Sequence, residues 1–184
     1  MSTSNVELEV KFRCKDLNEL RKKLLDMGAK PIDSVEMVDV YLQHPCWNFA
    51  ERDEALRVRL IRSSQSRGES VEITYKGPRS QGWAKARVEL VVKADNFQRT
   101  LQVFESLGFR EVARLAKRRE FFEIDNVEVS LDMVEGLGEF VELEDRGAGD
   151  EGLRRVAERL GLRELVRETY LELYLKKMGA RAPT

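Results

Sequence analysis

Apolar and charged residues alternate along several short stretches of the chain. From Val6 to Arg13 every second residue is apolar, and Glu7, Glu9 and Lys11 occupy positions between them. Because successive side chains of a strand point to opposite faces, this stretch is predicted to be a β-strand with one apolar and one ionic face. Similar patterns between turn residues predict further strands at Glu36–Gln43, Ala55–Ile61, Ser70–Lys76, Lys85–Val92, Val112–Ile124, Val127–Val134 and Glu139–Glu144.

Three other stretches carry apolar residues at helical spacing. The first follows Asp16, a residue suited to capping a helix, and stops at Gly28; the second follows Asp95 and stops at Gly108. The apolar stripes consist of Leu17, Leu20, Leu24 and Met27, of Phe97, Leu101, Phe104 and Leu107, and of Leu153, Val156, Ala157 and Leu160. For Leu165–Lys177 two alternatives stay open, another helix or a strand followed by a tail.

The ionic faces of the predicted strands have an unusual composition. A single strand with a charged face is ordinarily explained by contact with water. Here, however, the charged positions repeat Arg-x-Arg, Lys-x-Arg and Glu-x-Glu rather than mixing in Ser, Thr and Gln. A sheet that curls until its ionic face lines a lumen, with its apolar face beneath the helices, explains both faces. We therefore predict an α+β fold, a closed antiparallel β-barrel with helices packed outside, in one domain.

The amino-acid composition limits the ligands and partners that such a lumen is expected to have. Charged residues make up 35% of the chain, yet the 32 Lys and Arg nearly cancel the 33 Asp and Glu. With no basic field, binding to nucleic acid or to an anionic membrane is not expected. The two cysteines, Cys14 and Cys46, and the lone His44 are too few for a disulfide framework or a zinc cluster. Without an export signal or a long apolar stretch, the expected location is the cytoplasm.

Lys and Arg from separate strands would suit a polyphosphate ligand. A triphosphate carries about four negative charges, which only fixed cations and bound metal can hold away from water. Arginine forks would clamp the phosphates and lysines would neutralise them. The candidate triphosphate-binding residues are Lys11, Arg57, Arg59, Lys76, Lys85, Arg87, Lys117 and Arg119.

Acidic residues on the same faces are candidate metal ligands. Carboxylates are hard oxygen donors of the type that Mg²⁺ or Mn²⁺ prefers. The same residues would also neutralise neighbouring cations through salt bridges, and the two roles can coexist. The metal candidates are Glu7, Glu9, Asp132, Glu142 and Glu144, and Glu89 is a supporting residue on the face of Lys85 and Arg87.

These segments resemble a known family. Glu7-Leu8-Glu9-Val10-Lys11 is similar to the Glu-x-Glu-x-Lys signature of the CYTH superfamily of triphosphate tunnel metalloenzymes, which includes class IV adenylyl cyclases and thiamine triphosphatases. Further similar motifs follow in order: Leu56-Arg57-Val58-Arg59, Thr74-Tyr75-Lys76-Gly77-Pro78, Lys85-Ala86-Arg87-Val88-Glu89, Lys117-Arg118-Arg119, Leu131-Asp132, and Gly138 through Glu144. The Tyr75–Pro78 and Leu131–Gly138 segments look closer to the class IV cyclases.

The resemblance implies an eight-stranded antiparallel tunnel, formed by one CYTH domain over residues 1–184. Basic residues would hold the triphosphate, and acidic residues at the rim would hold Mg²⁺ or Mn²⁺. The cyclase branch also suggests a homodimer.

Three functions are compatible with this site. In a cyclase, the ribose 3′-hydroxyl of ATP attacks the α-phosphorus and pyrophosphate leaves, with Lys76, Lys117 and Arg119 as catalytic residues that stabilise the leaving group. Glu9, Glu142 and Glu144 would hold the metal ion. In a triphosphatase, water attacks the terminal phosphorus of tripolyphosphate or thiamine triphosphate. The third function is binding of a polyphosphate or nucleotide without catalysis.

A few residues lie outside this pattern. We expect His44 to be a loop or capping residue, and Trp47 and Trp83 to pack rather than to bind a base. Packing in the core or at the rim is also favoured for Tyr41 and Tyr170. Asp39 is an additional metal candidate.

Overall fold

The predicted strands are present and close into a barrel. The computed structural model describes residues 6–65 and 68–179. Its strands are β1 (Val6–Arg13), β2 (Lys30–Gln43), β3 (Ala55–Ser63), β4 (Glu69–Lys76), β5 (Lys85–Ala94), β6 (Arg110–Ile124), β7 (Val127–Val134), β8 (Gly138–Asp145) and the short β9 (Leu165–Val166). All of the observed strand pairs are antiparallel.

Pairing of β1 with both β5 and β8 closes the sheet. The spatial order is β5-β4-β3-β2-β6-β7-β8-β1, and β1 returns to β5 through the pairs Val6↔Val88 to Glu9↔Lys85. The two-residue β9 adds to β1 beside Lys11 and Phe12. The predicted closed eight-stranded antiparallel barrel is therefore confirmed. Closure gives each strand one face toward the lumen and one toward the exterior.

Four helices accompany the barrel in the described part of the chain. They are α1 (Leu17–Asp26), α2 (Phe97–Ser106), α3 (Gly149–Leu160) and α4 (Tyr170–Lys177). The Asp16 carboxylate accepts the N–H groups of Asn18 and Glu19, so it caps α1 as predicted. The cap of α2 is Asn96 rather than the predicted Asp95.

The segment after α3 combines both sequence alternatives, because the short β9 is followed by a helix. A capping box between Thr169 and Glu172 starts α4. None of the helices in the described ranges has the length and apolar content needed to cross a membrane.

Two strands begin at least two residues earlier than the sequence predicted. β2 starts at Lys30 instead of Glu36, and β6 starts at Arg110 instead of Val112. Pro31 follows the end of α1 and lies at the start of β2, next to a bulge between Pro31 and Asp33. A proline is tolerated at the beginning of a strand and at a bulge, so it did not end the element there.

The apolar residues form three clusters with different positions. One packs α1 and α3 against the outside of the barrel and contains the fully buried Leu24, Val129 and Leu153. A second lies between α2 and the outer faces of β2 and β3. The third joins α4 to residues of β2, β6 and β8, including Tyr41 and Phe140. Tyr41 lies two residues from Asp39, and Phe140 lies two residues from Glu142, so both share the lumen face of their strands. Helix α4, which packs on them, therefore lies at one end of the lumen.

Candidate functional site

The lumen contains a chamber of about 220 Å³ with a charged wall. In the described ranges, its lining includes eight basic and eight acidic side chains. The basic ones are Lys11, Arg57, Arg59, Lys76, Arg79, Arg87, Lys117 and Arg119, and the acidic ones are Glu7, Glu9, Asp53, Glu54, Glu89, Glu142, Glu144 and Glu172. The structure thus brings together seven of the eight cations that the sequence predicted to bind a triphosphate.

Lys85 is the predicted cation outside this lining. It lies in an adjoining groove with Arg79, Arg167 and Glu172. Burial, followed by the charge of Lys11, lowers the pKa of Lys85 to about 8. Lys85 therefore interacts electrostatically with Lys11 of the chamber, although its own side chain lines the adjoining groove.

A network of paired charges lies in the chamber wall and directly behind it. We call it the deep network: Lys11, Lys117, Arg119, Asp132, Glu142 and Tyr170. Arg119 donates hydrogen bonds to both Asp132 and Glu142. Lys117 Nζ lies 3.4 Å from Asp132 Oδ2, and Lys11 Nζ lies 3.5 Å from Glu142 Oε1. Each buried carboxylate therefore has at least two cations beside it, as burial of charge requires.

These contacts set the protonation states of the deep network. Burial raises the pKa of Glu142, but the charges of Arg119, Lys11 and Lys117 outweigh it and hold the pKa well below its usual value. Burial, together with the charge of Arg119, lowers the pKa of Lys117 to about 7. Lys117 is thus poised to gain a proton when an anion arrives.

Tyr170 extends from α4 into the deep network. Its hydroxyl donates to Asp132 Oδ2 at 2.6 Å, and Lys11 Nζ lies 3.9 Å from the centre of its ring. We had favoured core or rim packing; Tyr170 does pack edge-on against Phe140, but its polar end reaches the lumen. The sequence pattern does not show whether Tyr170 faces the core or the lumen, because the orientation of α4 depends on tertiary packing.

Asp132 and Asp39 make ion pairs rather than an open metal site. Asp132 is completely buried, does not line the chamber and is surrounded by Arg119, Lys117 and Tyr170. Asp39 accepts from Arg59 Nε at 2.5 Å and from Arg59 Nη2 at 2.7 Å. Burial raises the pKa of Asp39, but Arg59 and Arg57 together hold it below the usual value. For both residues the geometry fits the salt-bridge alternative, and their metal role stays a prediction.

Two buried guanidinium groups make no salt bridge in the described part of the chain. Arg57 donates to Thr74 Oγ1 at 3.2 Å, and its buried Nε has no hydrogen-bond partner there. Arg87 donates to the carbonyl oxygens of Gly77 and Asp53. Only 7% of Arg57 and 6% of Arg87 is exposed, so water does not compensate these charges. Asp39 and Glu89 interact electrostatically with Arg57, and Asp53 with Arg87, but neither arginine has to give up a direct ion pair to bind an anion in the chamber.

At the other end of the chamber, carboxylates lie against one another; we call Glu7, Glu89 and Glu144 the acid cluster. Burial, and then a hydrogen bond with Glu89, raises the pKa of Glu7. Burial, and then the charge of Glu7, raises the pKa of Glu144 to about 8. Two cations lie nearby: Lys76, which is bonded to Glu89 and lies 3.8 Å from Glu7, and Arg146, whose Nη1 lies 2.7 Å from Glu144 Oε1.

The acid cluster fits a divalent cation chemically. Glu7 Oε2 is buried without a hydrogen-bond partner among the described residues, and Glu9 lies beside Glu144 in the β1–β8 register. No group of three or more acidic, His or Cys side chains is already arranged to hold a metal within residues 6–65 and 68–179. Metal binding would therefore require the Glu7 and Glu144 side chains to turn toward the ion.

Sequence reasoning missed a cluster at the rim. Arg79, in the loop after β4, donates to Asp53 and to Glu172 of α4, with its Nη2 2.5 Å from Asp53 Oδ1 and 2.8 Å from Glu172 Oε1. It thereby ties two loops to α4. Since loop residues have no periodic pattern, no signal in the sequence distinguished Arg79 from a solvated arginine.

Of the remaining single residues, His44 and Trp83 behave as expected and Trp47 does not. His44 Nδ1 accepts the Cys46 N–H, which is a loop role. Trp83 packs against the first apolar cluster, but Trp47 is 46% exposed and donates to Glu54.

Comparison with known proteins agrees with this architecture. The sequence model of the CYTH domain matches residues 5–172. A Methanocaldococcus jannaschii protein named "Putative adenylate cyclase" is 34% identical over 177 residues, which are 91% of this chain and 98% of the relative. A Pyrococcus horikoshii protein of solved structure is 32% identical, with a TM-score of 0.82 over 93% of this chain and 99% of its own.

A more distant solved structure shares the fold. It is a Hippeastrum protein named "Putative adenylyl cyclase" and said to have a dominant triphosphatase activity, 13% identical with a TM-score of 0.66 over 96% of this chain and 98% of its own. From the family match, the identity to the archaeal relative and the closed charged tunnel, the chain belongs to the CYTH domain family, whose members act on triphosphates and generally depend on a divalent metal.

Proposed function

We propose that this protein is a metal-dependent adenylyl cyclase that converts ATP to cyclic AMP and pyrophosphate. The observation that carries the binding half of this proposal is the pair of buried arginines, Arg57 and Arg87, that face the chamber without a salt bridge among the described residues. A buried charge without a direct counter-ion favours a ligand with negative charge. Similarity to the archaeal relative, named as a cyclase, favours ATP.

The charge balance of the chamber supports a metal–triphosphate complex rather than a bare anion. Eight basic and eight acidic side chains line it in the described ranges. A triphosphate alone, with about four negative charges, would be repelled by the acid cluster. A divalent metal at Glu7, Glu9 and Glu144, with Glu142 nearby, would neutralise that charge and supply a Lewis acid that lowers the pKa of the attacking hydroxyl.

The chain's own residues would bind and orient the phosphates. Arg57 and Arg87 hold the anion without first having to break an ion pair, whereas Lys76 and Arg119 must exchange a carboxylate for a phosphate oxygen. Lys117 takes up a proton as the anion approaches and stabilises the pyrophosphate as it leaves. Lys76, Lys117 and Arg119 are thus the proposed catalytic residues, and Lys11, Arg59 and Lys85 complete the cationic surround.

A triphosphatase is the second candidate, because the related Hippeastrum fold is described with a dominant triphosphatase activity. The same cations would then hold tripolyphosphate or thiamine triphosphate while water attacks the terminal phosphorus. A binder without catalysis is the third. We also propose one domain over residues 1–184, a homodimer and a cytoplasmic location, with no nucleic-acid partner.

A product assay tests these functions. Purified protein is incubated with Mg²⁺ or Mn²⁺ and, separately, ATP, tripolyphosphate or thiamine triphosphate, and cyclic AMP, pyrophosphate and orthophosphate are resolved. Cyclic AMP with equimolar pyrophosphate is expected. Orthophosphate without cyclic AMP would replace the cyclase by a triphosphatase, and binding without product would leave a binder.

A paired substitution links the assay to the site. We expect Arg57→Gln to weaken triphosphate binding by at least tenfold and to destabilise the free protein less than loss of the salt-bridged Arg119, because Arg57 makes no direct ion pair. The control is Arg118→Gln, on the outside of the same barrel, with 75% of its side chain exposed. Equal affinities in the two variants would contradict the proposed role of Arg57.

A further inference from the structure

The chamber has an apolar wall that a purely inorganic substrate would not need. Its residues are Tyr41, Ala50, Ala55, Leu171 and Leu175, which we call the apolar wall. They come from β2, the loop before β3, the first residue of β3, and α4. Elsewhere the lining is mostly ionic, so apolar side chains are concentrated on one side.

The apolar wall continues into a second, smaller cavity. This cavity, of about 40 Å³, is lined by all five residues of the apolar wall and also by Phe49, Leu56 and Val112. Sites for small organic molecules combine apolar surface of this kind with a few polar groups that fix orientation. This second cavity therefore provides hydrophobic surface immediately beside the phosphate-binding cations.

The strand register places the wall beside the phosphate-binding cations. Tyr41 faces Arg57 across the β2–β3 pair, and Ala55 faces Lys76 across the β3–β4 pair. Leu171 follows Tyr170, whose ring lies under Lys11. A phosphate chain held by these cations would present its organic substituent to the apolar wall.

Packing in the three apolar clusters does not account for Leu175. Within residues 6–65 and 68–179, Leu171 and Leu173 pack against the third apolar cluster, whereas Leu175 belongs to none of the three. It is half-buried and lines both cavities. Leu171 and Leu175 are four residues apart on α4 and so share one face of the helix.

We propose that the apolar wall, with Leu175 at its centre, binds the flat heteroaromatic ring of an organic triphosphate and so selects such substrates over inorganic tripolyphosphate. This inference rests on the proposed function, because it assumes that the cations hold the phosphates. It makes Leu175 and its neighbours specificity-determining residues of the site. An adenine base and a thiamine ring share the chemistry that the wall recognises.

Calorimetric binding measurements test the wall without relying on turnover. The ligands are analogues of ATP, thiamine triphosphate and tripolyphosphate in which CH₂ replaces the bridging oxygens, each with Mg²⁺. We expect Leu175→Gln to weaken binding of the ring-bearing analogue about tenfold, as loss of an apolar contact does, while tripolyphosphate affinity stays within twofold. Comparison of the ATP and thiamine analogues shows which ring the wall accepts.

Matched variants separate recognition from folding. Leu173→Gln changes the same residue type two positions away, where it contacts neither cavity, and should leave the ratio of the two affinities unchanged. Leu175→Met should restore ring binding. If Leu175→Gln does not fold, Ala50→Gln at an exposed position of the same wall takes its place.

The outcomes distinguish this inference from the proposed function. If the wild-type protein binds none of the three analogues, the proposed function fails. If it binds tripolyphosphate as tightly as the ring-bearing analogues, or if Leu175→Gln weakens all ligands equally, the apolar wall is structural and only this inference is overturned.

Discussion

In the deep network each buried carboxylate lies against cations, whereas in the acid cluster the carboxylates lie against one another. Asp132 and Glu142 share Arg119, and the pKa values of both are lowered by its charge and by other cations despite burial. Glu7 and Glu144 have raised pKa values because burial and a neighbouring acid oppose ionisation. The difference indicates that the deep network is complete in the protein alone, whereas Lys76 and Arg146 do not fully compensate the acid cluster, which would gain from an added cation.

Loss of Arg119 is expected to have the largest effect. Arg119→Met would leave Asp132 and Glu142 buried with one cation fewer each, and breaking a buried pair in this way costs about 3–5 kcal/mol of unfolding free energy. Urea denaturation measures this cost. The matched control, Arg118→Met, changes the adjacent exposed arginine and should cost less than about 0.5 kcal/mol. Similar costs for both variants would contradict a self-sufficient deep network.

Metal binding at the acid cluster should have the second-largest effect on the free energy of unfolding. At a Mg²⁺ concentration 100 times its Kd, we expect the free energy of unfolding to rise by about 2.7 kcal/mol. Glu144→Gln should abolish most of that increase, and Glu36→Gln, at an exposed site outside the barrel, should not. Thermal or urea unfolding with and without Mg²⁺ measures the difference. Full stabilisation of Glu144→Gln would place the metal elsewhere.

Removal of the Tyr170 hydroxyl tests a smaller part of the deep network. Tyr170→Phe keeps the ring beneath Lys11 but loses the hydrogen bond to Asp132. A hydrogen bond to a charged group contributes about 1.5 kcal/mol, so the unfolding free energy should fall by roughly that amount. Tyr174→Phe, on the same helix, serves as the control. An unchanged stability for Tyr170→Phe would show that the hydroxyl is not needed there.

A pH titration should reveal a further effect, confined to alkaline pH, which comes from Lys85. Its pKa is lowered to about 8 by burial and by Lys11, against 10.5 for an ordinary lysine. Between these values the unfolded chain binds more protons than the folded one, so this group makes stability rise as pH increases from about 8 to 10.5. Comparison of wild type with Lys85→Gln by urea denaturation isolates the contribution. A wild-type curve parallel to that of Lys85→Gln would contradict it.

The sequence predicted the barrel well because its determinants are local. Alternation around Glu7, Arg57 and Arg87 assigned those side chains to one face, and closure then placed them in one chamber. It failed where a residue acts outside a periodic element. The early start of β2 at Lys30 was not predicted, and Arg79 bonds both to Asp53 and to Glu172, which lies 93 positions after it in the sequence. Such contacts depend on how distant segments meet.

The sequence by itself determined which faces are ionic and which are apolar, because the two-residue period of a strand is written directly in residue order. Only the tertiary structure decided how those charges pair. Register across β6, β7 and β8 makes Asp132 and Glu142 share Arg119, while closure of β1 on β5 and β8 brings Glu7 to Glu89 and Glu144. Electrostatic interactions depend on distance and burial, and neither is defined until the barrel closes.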